Sequence, residues 1–183
     1  MRHKILAGAV FAISLLVAVL FSARLEMQAA PAEDSREVSK LLEDIKSQAG
    51  DLQRDSDELE SFTRSNLSWE SHAEQLERIK ERINAIGETI KNLNSLRGSA
   101  SPWQREAIDR ILPLAEKLAA NTKAAINHLN KNPSHLQDPE YQQYLKSNAE
   151  VATNLAGLVR EFVEYGKTKT NLEALERKLE VTR

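Results

Sequence analysis

The segment SWESHAEQLERIKERINAIGETIKNLNSL, residues 68–96, decides the fold. Its apolar side chains are Trp69, Leu76, Ile79, Ile83, Ile86, Ile90, Leu93 and Leu96. From Leu76 to Leu93 the gaps run 3, 4, 3, 4, 3, the heptad rhythm of a helix that buries one narrow stripe. Glu74, Glu77, Arg78, Lys80, Glu81, Arg82, Glu88 and Lys91 lie between them, so the other face is charged. Most helical stability in water comes from burying such a stripe, so this helix requires partners of similar length.

The flanking sequence supplies them. Upstream, a helix is predicted from about Ser35 to Thr63, with the stripe Val38, Leu42, Ile45, Ala49, Leu52, Ser56, Leu59 and Phe62. Asp34 is its expected N-cap, with Glu37 at the capping-box spacing, and Gly50 is a mild cost within it. Residues 64–68 form a turn in which Ser68 caps the second helix, and Gly98 is the expected C′ residue at its end. The glycosylation pattern Asn66-Leu67-Ser68 is weak and is explained by that cap.

Ser101-Pro102-Trp103-Gln104 opens the third helix: Ser at N-cap, Pro at N1 and Gln at N3 complete a capping box. Its stripe is Ile108, Ile111, Leu112, Ala115, Leu118, Ala119, Thr122, Ile126 and Leu129, and Pro113 within it predicts a kink. After a loop over residues 130–137, Asp138-Pro139 repeats the device for a fourth helix. That helix turns Tyr141, Leu145, Asn148, Ala152, Leu155, Val159 and Phe162 inward. Gly166 and the run Lys167-Thr168-Lys169-Thr170 are read as a break or hinge before a short amphipathic tail with Leu172, Leu175 and Leu179.

Four long helices joined by short connections predict an all-α, antiparallel up-down-up-down four-helix bundle with heptad-patterned helices. Each is ~42 Å long, for about 28 residues at ~1.5 Å per residue. A long three-helix, spectrin-like packing with one helix docked elsewhere is the alternative. Three units follow: residues 1–32 as a targeting segment, 33–166 as the bundle and 167–183 as the tail. The pattern resembles cytochrome-type and receptor-sensor bundles in architecture alone, and fold does not imply function.

The targeting segment begins with Met1-Arg2-His3-Lys4, followed by an uncharged apolar run over residues 5–21. It reads as a signal peptide cleaved after Ala30-Pro31-Ala32 or as an uncleaved signal-anchor helix. Either reading keeps the basic head cytoplasmic and places the remainder outside the cytoplasm, periplasmic or secreted, with membrane attachment only through this segment.

Composition narrows the chemistry. The chain has 183 residues, 28% charged and 5% aromatic, with a net charge of −2. Without residues 1–32 it carries 22 basic and 26 acidic side chains, net −4, and no basic field for nucleic acid. There is no cysteine, which removes disulfides, thiol nucleophiles, iron–sulfur clusters and N-terminal thiol lipidation. Three residues before His72, His128 and His135 stand Trp69, Ala125 and Asn132, so the Glu-x-x-His motif of di-iron bundles is missing. With Met1 and Met27 the only methionines, a cleaved chain has none to ligate a haem. No phosphate-binding glycine loop, Gly-x-Ser-x-Gly motif or inner-stripe carboxylate suggests catalysis. The sequence therefore predicts no catalytic residue, no metal and no cofactor.

Folding the chain about its three turns brings Phe62, Trp69, Tyr141 and Tyr144 to one end. Trp103, Phe162 and Tyr165 fall at the other, with Val38 and Leu93. Ser56, Leu76, Thr122 and Asn148 share one level, with His72 a turn away. Such a polar layer either fixes register or lines a small-ligand site, so Ser56, His72, Thr122 and Asn148 are the candidate binding residues. Two functions are expected. One is a non-enzymatic extracytoplasmic scaffold that binds a protein partner through helix faces or the Leu172–Leu179 tail. The other is a sensor or carrier that binds a small molecule or lipid in the bundle core.

Overall fold

A computed structural model describes residues 33–65 and 67–179. The targeting segment, residues 1–32, lies outside them, as does Asn66. The regular structure is helical throughout: α1 Arg36–Ser61, α2 Trp69–Ser95, α3 Pro102–Lys131 and α4 Pro139–Lys178. Short 3-10 turns follow α1 at Phe62–Arg64 and α2 at Arg97–Ser99. Four packed helices result, α1 and α3 each lying between α2 and α4. The start of α1 meets the start of α3 and the far part of α4, through Ser35 with Gln104 and Asp34 with Lys169. The end of α1 meets the start of α2, where the Phe62 and His72 rings touch. No helix among the described residues is long and apolar enough to cross a membrane.

The heptad stripes become the core. Every α1 position from Val38 to Leu59 in the predicted stripe is buried, and so are Leu76, Ile79, Ile83, Ile86, Ile90 and Leu93 of α2. From α3 and α4 the core takes Ile108, Ile111, Leu118, Leu129, Leu145, Leu155 and Val159. Burial at ~25 cal/mol per Å² of apolar surface is the main force holding these four faces together.

Several local expectations are corrected. The N-cap of α1 is Ser35, whose hydroxyl accepts from the Val38 amide; Asp34 is used across the bundle instead. Ser68 and Asp138 cap α2 and α4 as expected. Gly98 sits inside the Arg97–Ser99 turn without positive φ, because a 3-10 turn closes α2 where a left-handed C′ residue was expected. Trp69 is 47% exposed, because the end of the core is filled by His72 one turn later. Leu112 and Ala119 face solvent, and on α4 Val163 is buried where Phe162 is only partly so. The arginine side chain of Arg110 lies over the Phe162 ring at 5.4 Å, a cation–π arrangement at the bundle surface.

The largest correction concerns Gly166. No break occurs there: α4 is one helix of 40 residues. The glycine is a site of close approach, where the six-membered ring of the Trp103 indole occupies the space a Cβ would need. At ~1.5 Å per residue α4 is ~60 Å long against ~39 Å for α1. Since Lys169 already meets Asp34, before the first turn of α1, the residues that follow run past the start of α1.

Candidate functional site

The four polar candidates are all buried: Ser56 at 1%, His72 at 1%, Thr122 at 2% and Asn148 at 0% exposure. Two of them bond to each other. Thr122 and Asn148 meet across the α3–α4 interface, Asn148 Nδ2 donating to Thr122 Oγ1 at 3.0 Å. The Asn148 Oδ1 and Ser56 Oγ atoms have no hydrogen-bond partner among the described residues. Two orphaned buried acceptors are costly, on the order of 1–3 kcal/mol each when left fully unmet.

Thr122 has a second surface. Between α2 and α3 a groove of about 330 Å³ opens over it. Its apolar wall is Ile83, Ala119 and Ile126, and its polar lining is Thr122, Lys80, Lys123, Asn84 and Asn127. Lys80 is paired with Glu77 at 2.7 Å, whereas Lys123 makes no ion pair among the described residues. No carboxylate lines the groove.

His72 belongs to a different cluster. Its Nδ1 lies 3.0 Å from Tyr141 Oη, and its ring meets Phe62 edge-on at 5.3 Å. On the other side of Tyr141 the His128 ring is stacked, 5.5 Å between centroids. Tyr141 is thus held between two imidazoles from α2 and α3 where α4 begins. Burial lowers the His72 pKa and pushes the Tyr141 phenol well above its ordinary value, so both stay neutral near pH 7. His128 Nε2 stands 3.6 Å from the Asp138 carboxylate, the N-cap of α4, too long for a hydrogen bond. With His72 and Tyr141 buried and His128 stacked on the phenol, this cluster plugs the end of the core. The sequence places Tyr141 at this end of the core and His72 among the candidate binding residues; His128 carries no such signal, because nothing in its own helix marks which histidine another helix will cover.

The opposite end is tied by Gln104, which is fully buried. Its Oε1 accepts from the Ser101 and Ser35 amides, both at 3.0 Å, so the capping contact of α3 is shared with α1. Its Nε2 donates to Ser35 O at 2.8 Å and Ser39 Oγ at 2.9 Å. Beside it Trp103 Nε1 donates to Asp34 at 2.7 Å, and Lys169 pairs with the same carboxylate at 2.9 Å. Burial acts to raise the Asp34 pKa, but the hydrogen bonds it accepts, led by Lys169, reverse this and leave it below the ordinary value. A shallow cavity of about 350 Å³ lies alongside, walled by Trp103, Leu42 and Val163 and bridged by the Glu43–Lys167 ion pair.

A third feature is a surface. Tyr165, Leu172, Leu175 and Leu179 are exposed at 53%, 43%, 54% and 68%. At ~100° per residue, the three leucines lie roughly half a turn around α4 from Val159 and Val163, its buried face. With exposed Thr168 the stripe runs 165, 168, 172, 175, 179, again gaps of 3 and 4. It is a second heptad face on the same helix; Tyr165 at its start meets the Trp103 ring edge-on at 5.5 Å, and the three exposed leucines lie beyond it.

No family model matches this chain, and neither the curated proteins nor the solved structures contain a match.

Proposed function

We propose that this protein is a non-enzymatic interaction module of the extracytoplasmic space. In this reading an antiparallel up-down-up-down bundle holds the end of α4 as a docking helix for a protein partner. The observation that carries the reading is the exposed stripe Tyr165, Leu172, Leu175, Leu179 on the face opposite the buried one. A tail that served only to close the bundle would continue the Val159–Val163 face; a stripe half a turn away serves a helix from elsewhere. Its 3 and 4 spacing suits an amphipathic partner helix packed side by side. The placement outside the cytoplasm rests on the basic head and apolar run of residues 1–21.

Site-specific photo-crosslinking in cells tests this, with the reactive group at Leu175 and, as a control, at exposed Lys117 of α3. One adduct of defined mass is expected from position 175 and none from 117, and it should vanish in a Leu172→Asp, Leu179→Asp variant. Equal adducts from both positions, or an adduct that survives the double substitution, would defeat the reading.

A further inference from the structure

We propose that the α2–α3 groove over Thr122 is a binding site for the carboxylate of a medium-chain aliphatic acid. The inference is independent of the role assigned to α4. Its first support is chemical. Each polar side chain on the groove can donate a hydrogen bond: the Lys80 and Lys123 ammoniums, the Asn84 and Asn127 amides and the Thr122 hydroxyl. Glu77 engages the Lys80 ammonium from outside the lining, and no carboxylate among the described residues lines the groove itself, so Lys123, the two amides and the hydroxyl leave it complementary to an anion.

The second support is an unused donor at the base. Thr122 Oγ1 already accepts from Asn148, and its own hydroxyl hydrogen has no acceptor among the described residues. Thr122 as a residue is 2% exposed, and a hydroxyl hydrogen without an acceptor in such a residue is unusual, since buried polar groups are nearly always paired. A carboxylate oxygen seated on Thr122 would take that hydrogen, with its charge beside Lys123. The third support is shape. Ile83, Ala119 and Ile126 make an aliphatic wall, and about 330 Å³ is at the small end of ligand pockets, which run ~300–1,000 Å³. A medium-chain acid fits these limits; a long acyl chain does not.

Isothermal titration of the full chain with octanoate, octanol and octylamine is the test. Octanoate should bind saturably at one site, and octanol and octylamine about tenfold more weakly or not at all, as a charge-assisted hydrogen bond requires. Lys123→Gln should weaken octanoate about tenfold while leaving octanol unchanged. Lys123 is exposed and in no ion pair among the described residues, so this variant folds. Thr122→Val should weaken octanoate as well, with its fold checked by circular dichroism. Octanol binding as tightly as octanoate, or octanoate affinity unchanged in Lys123→Gln, would overturn the assignment.

Discussion

The indole of Trp103 packs against Gly166 so closely that a Cβ there would stand 2.7 Å from Cη2 and 3.0 Å from Cζ2. The ring cannot easily withdraw, because its Nε1 is held by Asp34 at 2.7 Å. Glycine costs ~1 kcal/mol relative to alanine in a helix, so Gly166→Ala gains that much in propensity. The forced overlap of a packed ring costs ~1–3 kcal/mol and wins. Urea denaturation should therefore show Gly166→Ala destabilised. Gly87→Ala on α2, where an added Cβ meets nothing within 4 Å, should be stabilised by ~0.5–1 kcal/mol. Equal gains at both positions would contradict the Trp103 packing.

Gln104 should be a larger liability than its neutral side chain suggests. Its loss leaves the Ser35 and Ser101 amides without their acceptor and Ser35 O with the Ser39 amide as its remaining donor. We expect Gln104→Ala to cost at least ~2 kcal/mol. Hydrogen exchange at the Ser35 and Ser101 amides should accelerate more than exchange at the α2–α3 midpoint. Uniform acceleration along the chain would mean that Gln104 contributes to global packing only.

Asp34 predicts an acid-sensitive end. Its folded pKa lies below the ordinary 3.8, so in the acid range the unfolded chain binds the extra proton. The stabilisation is present above about pH 4 and is lost as pH falls through the lowered folded value. Because the ion pair is partly solvated, Asp34→Asn should cost about 1 kcal/mol or less at neutral pH. The gap between wild type and variant should close on acidification. Denaturation midpoints from about pH 7 to pH 2 measure it. A gap that widens in acid would reverse the assigned sign.

His72 adds acid sensitivity of the same sign at a higher pH. Burial lowers its pKa from 6.5, so on acidification the unfolded imidazole is protonated first. Stability is therefore complete above pH 6.5 and declines as pH falls from there toward the lowered folded value. Each unit of depression corresponds to ~1.4 kcal/mol. His72→Gln keeps a hydrogen-bonding group beside Tyr141 Oη and should flatten the slope between about pH 6.5 and pH 5. An identical slope in both proteins would place the acid sensitivity elsewhere.

The readable part of the candidate site was its burial. Thr122 and Asn148 interrupt apolar stripes at core positions, and the crude folding of the chain put them at one level, where they do bond at 3.0 Å. Ser56 was equally legible as buried, but not as unbonded. The groove was not legible. Thr122 lines it because Ala119 and Asn127 on α3 and Ile83 and Asn84 on α2 leave room there, a property of two helices in one register. The second heptad face on α4 was seen as a tail with three leucines. Its phase relative to the buried face became meaningful only once Gly166 proved to be helical, because a break would have reset the rotation.

By itself the sequence determined the number of helices, most of their caps and nearly the whole apolar core. These follow from spacing along one chain: a 3.6-residue turn converts the positions of Leu, Ile and Val into a face, and burying that face dominates stability. Only the tertiary structure decided the fate of residues whose energy depends on another helix. Gly166 reads locally as a breaker and is retained against Trp103; Gln104 reads as a capping residue and also ties α1 to α3. His72 reads as a candidate binding residue a turn from the polar layer and is sealed against Tyr141. A backbone hydrogen bond or an apolar stripe is satisfied within a few residues, whereas a buried polar group is settled by whichever atom the neighbouring helix brings opposite it.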